Sequence, residues 1–305
     1  MTKYLVTGGA GFIGSHIAEE LLRRGDQVVV LDNLSYGKRE NLEGLDVEFV
    51  EGDIRDLDVL KKVCAGAEVV FHEGAVASMP ISVDDPVYTT AVNSTGTLNV
   101  FLAARDQGVR RVVYASSAAV YGEPIKTPQI ETDEIKPLSP YAIHKKSNEY
   151  YGELFSHLYG LETVGLRYFN VFGPRQDPSS QYSGVISKFI ELMSKGKPVT
   201  IYGDGQQTRD FVYVKDVVAA NLLAADAADV SGEVFNVGTG KAVSLLDLVT
   251  DLKELLNYGL EPSFGPERPG DIKFSLSSIE KANKKLNYQP VYDLKTGLKE
   301  ITIGA

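Results

Sequence analysis

The chain has 305 residues, 43% hydrophobic and 24% charged, with 29 glycines, 13 prolines, one cysteine and no tryptophan. That balance excludes disordered, collagen-like and disulfide-stapled classes, and the length predicts one large unit or two lobes sharing a cleft. A formal charge of −10 argues against nonspecific nucleic-acid binding as the main task. No apolar run approaches the roughly 18 residues that span a bilayer, so no membrane partner is expected. Met1 enters an apolar strand with no leader pattern, and a lone Cys64 cannot close an internal disulfide. Both features fit a soluble protein of the cytoplasm.

In chain order, β-branched runs at Tyr4–Val6, Val28–Leu31, Val47–Val50, Val69–Phe71 and Val112–Tyr114 predict buried strands. Between them, Ile13–Arg24, Leu57–Cys64 and a long stretch from about Pro86 to Asp106 predict helices. Gly25, Gly66 and Gly108 each follow a helical run, where a left-handed stop is wanted. Strands alternating with helices imply right-handed parallel crossovers, hence an α/β fold with a doubly wound parallel sheet. After Asn170 the texture changes to an irregular connection through Ser179–Ser183. A helix at Val185–Met193, a turn at Gly203–Gln207, a strand at Phe211–Val214 and a helix through Ala225 follow. A last helix at Leu245–Leu256 precedes a Pro/Gly-rich stretch, Glu261–Gly270. This half reads as a smaller α/β lobe. The expected division is 1–170, joined by 210–238, for the sheet domain, and 171–209 with 239–305 for the lobe.

The first strand runs into Thr7-Gly8-Gly9-Ala10-Gly11-Phe12-Ile13-Gly14 and then directly into a helix. Gly8, Gly11 and Gly14 let a turn tighten and let a pyrophosphate approach bare backbone at a helix N-terminus. Asp32 ends the second strand, 18 residues after Gly14. A carboxylate there accepts from both ribose hydroxyls and repels a 2′-phosphate, which selects NAD over NADP. Asp53-Ile54, after the third strand, reads equally as an adenine contact or as a simple loop pair. No metal is expected.

The fifth strand ends in Ala115-Ser116-Ser117, Tyr141 lies 24 residues beyond Ser117, and Lys145 is one helical turn further. Tyr and Lys at i and i+4 share a helix face. A free phenol, with a pKa of about 10, is a poor base at neutral pH. Positive charge from the Lys145 ammonium and an oxidised nicotinamide favours the phenolate. Ser117, Tyr141 and Lys145 are the catalytic candidates.

With these residues in this order, the chain resembles the extended short-chain dehydrogenase/reductases, specifically the NAD-dependent nucleotide-sugar epimerase/dehydratase group and most closely UDP-glucose 4-epimerases. The resemblance is also carried by Asp32-Asn33-Leu34-Ser35, Arg167 to Arg175, Gly203-Asp204-Gly205, Arg209-Asp210-Phe211 and Arg268-Pro269-Gly270-Asp271. It implies a Rossmann sheet with NAD surrounded by the glycine loop with Phe12 and Ile13, then Asp32, Asn33, Leu34, Ser35 and Gly37. Asp53, Ile54, Gly74, Ala75, Ala77, Asn93, Lys145 and Phe169 would complete that shell. It implies a UDP-sugar partner held by Ser78, Ser117, Asn170, Val185, Arg209, Arg268 and Asp271, with Thr200 and Tyr202 near uracil. Ser275, seven residues after Arg268, would sit beside the sugar's C2 substituent, unless a one-residue shift puts Phe274 there. A homodimer through two long helices, about Asn93–Arg105 and Tyr141–Tyr159, is implied as well.

The family usually has an apolar residue after the His of His-x-Ala-Ala, whereas this chain reads His72-Glu73-Gly74-Ala75. Glu73 either faces the nicotinamide charge or turns to a hydrogen-bond partner, and His72 is expected to be structural. Dehydratases of the group place acidic residues directly after the Ser/Thr, where this chain has Ala118 and Ala119. Alanine moves no proton. The resemblance therefore implies a 4-epimerase of UDP-glucose and UDP-galactose, with UDP-N-acetylglucosamine or UDP-glucuronate as alternative substrates. A non-enzymatic NAD-binding regulator, the reading from another class, would tend to lack Tyr141 and Lys145.

Overall fold

The computed structural model describes residues 1–177, 184–267 and 272–302. Its first half alternates β1 (Lys3–Thr7), α1 (Phe12–Arg23), β2 (Gln27–Asp32), β3 (Glu48–Glu51), α2 (Leu57–Cys64) and β4 (Val69–His72). Then come α3 (Met79–Asp84), α4 (Pro86–Thr90), α5 (Thr97–Asp106), β5 (Arg111–Ser117), α6 (Pro140–Tyr159) and β6 (Glu162–Tyr168). The second half holds β7 (Asn170–Phe172), α7 (Val185–Ser194), β8 (Thr200–Tyr202), β9 (Thr208–Arg209), β10 (Phe211–Tyr213) and α8 (Val214–Asp226). It ends with β11 (Glu233–Val237), β12 (Val243–Ser244), α9 (Leu245–Leu255), β13 (Ser263–Gly265), α10 (Glu280–Leu286) and α11 (Leu294–Thr302).

Seven strands form one sheet in the order β3-β2-β1-β4-β5-β6-β11, and every pairing in it is parallel. Its inner strands are apolar because both faces are covered, whereas β3, expected to be buried, lies at the sheet edge with Glu48 and Glu51 exposed and Phe49 and Val50 half-buried. Tyr4 and Val6 point into a core with Ile17 and Leu21 of α1 and Val217 of α8. Leu5, between them, points into the opposite core with Leu60, Val100, Phe101 and Phe155 of α2, α5 and α6. Strand order reverses between β1 and β4, whose ends pair Thr7 with His72. The crevice beyond those carboxyl ends is where such sheets bind ligands.

The helix expected from about Pro86 to Asp106 is interrupted. Between α4 and α5, Ala91–Gly96 is a π-helical turn, a form that appears mostly as single-turn bulges inside α-helices. The turn delivers Asn93 to the backbone behind the crevice. Gly25, Gly66 and Gly108 do stop their helices with φ of +83°, +74° and +69°.

The stretch 210–238 lays α8 against α1 and adds β11 beside β6. Around it, β7 pairs with β10, β8 with β13 and β9 with β12. A third core, with Phe172, Ile186, Phe189, Ile201, Leu248 and Leu252, supports this lobe. Among the described residues, no helix is long and apolar enough to cross a membrane, and no group of three or more His, Cys, Asp or Glu could hold a metal ion.

Candidate active site

At the switch point a cavity of about 300 Å³ opens over the glycine loop. Gly8 has φ of +67°, and a β-carbon built on it would lie 2.6 Å from the Gly74 amide nitrogen. A β-carbon on Gly14 would run into the Gly8 carbonyl. The loop is therefore closed to side chains and open to a ligand along its bare backbone, above the N-terminus of α1.

Asp32 is buried at one end of the cavity. It accepts from Ala10 N–H at 3.0 Å on one oxygen and from Leu34 N–H at 2.8 Å on the other. Burial pushes its pKa up from the usual carboxylate value, and the two amides counter that. Each oxygen keeps a further lone pair for a ribose hydroxyl. A β-carbon on Gly37 would lie 2.8 Å from this carboxylate. Asp53 is gripped by Arg55 and Asn33 and lowered to about 2, chiefly by its hydrogen bonds from Arg55. Both Asp53 and Ile54 nevertheless line the cavity.

Of the residues expected around the cofactor, Gly8, Gly11, Phe12, Ile13, Gly14, Asp32, Asn33, Ser35, Gly37, Asp53, Ile54, Gly74, Ala75 and Ala77 line this cavity. Leu34, at φ of +57°, does not line the cavity, but its amide holds the Asp32 carboxylate. Asn93 stands behind the wall. It is fully buried, accepts from Val76 N–H at 2.8 Å and donates to Val76 O at 3.1 Å, holding the 73–77 segment in place. Phe169 is buried against Val120 and Tyr121. Sequence reasoning missed Lys38 and Asp177, which pair at 2.8 Å on the cavity rim, and Asn41, which donates to Ala10 O at 2.8 Å. The polar clustering after Asp32 was the available signal.

The catalytic candidates converge from two elements. Ser117 ends β5, and its hydroxyl caps the following turn by accepting from Ala119 N–H at 3.1 Å. α6 starts where Ser139 caps it and Pro140 occupies its first turn, a strong helix start. Tyr141 and Lys145 then follow on one face. Ser117 lies near enough to the Tyr141 phenol to pull its pKa down. The buried Lys145 Nζ donates to Ala115 O at 2.7 Å and lies 5.8 Å from the centre of the Tyr141 ring.

The sequence reading had positive charge from Lys145 and an oxidised nicotinamide favour the Tyr141 phenolate. Instead, burial dominates and pushes the phenol up to about 12; Ser117 works against this and a nearby Glu73 adds to it. Burial also lowers Lys145 to about 8, with Glu73 pulling it back up. The phenol thus stays protonated until another positive charge enters the cleft.

Glu73 both lines the cavity and has a partner. Its Oε1 accepts from the Tyr168 hydroxyl at 2.8 Å. Burial pushes it up to about 7, against the Tyr168 hydrogen bond and the Lys145 charge. His72 is structural, bonded to Thr7 at 2.7 Å and Thr97 at 2.9 Å, and lowered to about 3 by burial, hence neutral.

The second lobe carries Asn170 on β7, Val185 at the start of α7, Thr200 and Tyr202 on β8, and Arg209 on β9, none of which lines the cofactor cavity. Thr208 brings two of the expected substrate residues together. Arg209 donates to its carbonyl at 2.9 Å and the Ser275 amide donates to the same oxygen at 3.1 Å. Ser275 is buried, while its neighbour Phe274 is 47% exposed. Asp210, fully buried, ties this edge down by accepting from Thr239, Gly240 and Ser277. Ser78 spends its hydroxyl on capping α3, accepting from Ile81 N–H at 3.2 Å. Arg268 and Asp271 lie outside the described residues.

Residues 4–238 match the NAD dependent epimerase/dehydratase family. The chain superimposes with a TM-score of 0.95 on a UDP-glucose 4-epimerase of Thermotoga maritima solved with UDP-glucose, at 42% identity over 99% of this chain and 98% of that one. A UDP-N-acetylglucosamine 4-epimerase of Methanobrevibacter ruminantium, solved with UDP-N-acetylmuramic acid, gives 0.95 at 40% identity over 99% and 97%. A UDP-glucose 4-epimerase of Thermus thermophilus, solved with NAD, gives 0.90 at 40% identity over 99% and 98%.

Proposed function

Because the chain belongs to the NAD-dependent epimerase/dehydratase family and is an enzyme of the UDP-sugar 4-epimerase type, we propose that it interconverts UDP-glucose and UDP-galactose by inverting C4. The observation that carries this reading is the Ser117–Tyr141–Lys145 arrangement beside the cofactor cavity, with alanines at 118 and 119 where elimination chemistry needs an acid. Bare backbone at Gly8 and the buried Asp32 carboxylate fit NAD, the cofactor of this family.

When bound, NAD supplies a hydride acceptor whose ring is cationic until reduced. Tyr141 would take the proton of the sugar O4, with Ser117 close to the phenol and placed to relay that proton. Once the 4-keto sugar has rotated, Tyr141 would return the proton to O4, and hydride supplied to the other face of C4 would complete the inversion. Lys145, anchored on Ala115 O, fixes the helix turn that presents Tyr141 and adds positive charge beside it. Arg209 and Arg268 would neutralise the diphosphate, a task suited to guanidinium groups. The test is C4 inversion followed by NMR over a panel of UDP-sugars.

Cofactor choice is expected to depend on Asp32. Asp32→Ala removes the ribose acceptor and the repulsion of a 2′-phosphate. NAD should then bind more weakly and discriminate less from NADP, by about tenfold or more in the affinity ratio, since a charged hydrogen bond contributes about 1.5–3 kcal/mol. Titration of both cofactors into apo-protein checks it; an unchanged ratio removes Asp32 from the site.

A second reading, acceptance of UDP-N-acetylglucosamine alongside UDP-glucose, is favoured by the small buried Ser275. Ser275→Tyr should then suppress the acetylated substrate selectively, because a packed pocket does not absorb a ring cheaply. Equal loss of both activities, or no wild-type turnover of the acetylated sugar, contradicts it.

We also propose a cytoplasmic homodimer. On α6, Ile143, Tyr150, Leu154 and Leu158 are exposed, and Tyr151 is 38% exposed. Phe155, expected in the same stripe, turns inward to Phe101. An exposed apolar stripe of this kind suits a two-fold interface. Light scattering at micromolar concentration is expected to give twice the chain mass.

A further inference from the structure

The cleft contains a carboxylate that the hydride cycle above does not use. Glu73 leaves β4 at the switch point, where its amide donates to Thr7 O at 3.1 Å. Its Oε1 accepts from Tyr168 O–H on β6 at 2.8 Å, and the Tyr168 oxygen accepts from Asn221 Nδ2 on α8 at 2.8 Å. Asn221 is itself anchored by donating to Val217 O at 2.9 Å. This chain of bonds, drawn from three elements, fixes the carboxylate on the cavity wall beside Gly74 and Ala75.

The ionisable groups facing Glu73 are Lys145 and Tyr141 from α6 and Tyr168 from β6; its neighbour His72 is neutral and turned to Thr7 and Thr97. The same carboxylate raises the Tyr141 phenol, so it opposes the base. A residue that works against the base, and is held there by a built hydrogen-bond chain, needs another role. An ionised carboxylate held in place beside Lys145 attracts a cationic ring and loses that attraction when the ring is reduced to neutrality.

We propose that Glu73 is a positioning residue that sets the redox bias of the bound cofactor, favouring NAD over NADH. Reduced cofactor beside a 4-keto sugar is the state from which the sugar can be lost before hydride returns. A carboxylate that disfavours that state keeps it scarce and hastens the return. The proposal rests on the reacting atoms lying at Tyr141, as the proposed function places them.

The test uses no sugar, so it stands apart from the identity of the reaction. Wild-type protein and variants are equilibrated with defined mixtures of NAD and NADH, desalted, and the bound ratio is read from nucleotide absorbance. Glu73→Gln, and Glu73→Leu as a second neutral side chain, are expected to lower the bound NAD-to-NADH ratio about tenfold, ~30 mV for a two-electron couple. Glu73→Asp, which keeps the charge, should stay near wild type. An unchanged ratio in the neutral variants, or an equal shift in the Asp variant, overturns the proposal. Failure of C4 inversion in an otherwise intact wild type would overturn the reaction reading instead.

Discussion

Tyr141→Phe is expected to lower turnover by about 10² to 10⁴, the usual contribution of a positioned acid–base group, while leaving the fold and bound NAD intact. The variant keeps the ring and removes only the phenol oxygen, the group whose acidity Ser117 influences. Burial holds that phenol near 12, so its loss of a proton depends on Ser117 and on the cationic cofactor rather than on intrinsic acidity. Circular dichroism and bound-nucleotide absorbance report the intact scaffold, and the UDP-sugar assay reports the loss. Turnover within a factor of two of wild type would remove Tyr141 from the chemistry.

Glu149→Ala is expected to cost about 3–5 kcal/mol of stability, because it strands a buried guanidinium. Glu149 and Arg167 are 3% and 1% exposed. Arg167 donates twice to the carboxylate, at 2.8 Å each, and Ser116 donates to it at 2.6 Å. Arg167 also reaches the Tyr121 hydroxyl at 2.8 Å, directly beneath the turn that carries Ser117. Burial raises the Glu149 pKa, but its bonds from Arg167 outweigh that and leave it below the ordinary value of 4.5. A depressed carboxylate contributes stability above its unfolded pKa and loses it as pH falls through the folded one. Wild-type stability should therefore drop below about pH 4.5 from this group, and the drop should be absent in the variant. Urea unfolding at neutral and acid pH measures both effects; a variant within about 1 kcal/mol of wild type would contradict the account.

Parallel strands covered on both faces must be apolar throughout, which is why Val28–Leu31 and Val112–Tyr114 were legible as sheet without any partner known. The glycine loop and Asp32 were legible because their chemistry is set by local spacing. Tertiary partners were not. Glu73 meets Tyr168 across 95 residues, and nothing local to His72-Glu73-Gly74 announces that contact. Arg167 was named only as the start of the Arg167 to Arg175 motif, without its partner Glu149. The π turn at Ala91–Gly96 follows from no propensity in Ala-Val-Asn-Ser-Thr-Gly; it places Asn93 against Val76. Burial, the larger effect on Tyr141, was not legible in sequence because it exists only once α6 is packed.

The central claim is that C4 is inverted by a hydride that never leaves the site, and one NMR experiment addresses it. The protein, with only its bound NAD, is incubated with UDP-glucose in deuterium oxide and the product is examined at C4. The account predicts UDP-galactose with protium retained at C4 and no deuterium at C5, since Tyr141 exchanges protons only with O4. Deuterium at C4 or C5, or the absence of inversion across the UDP-sugar panel, would contradict it.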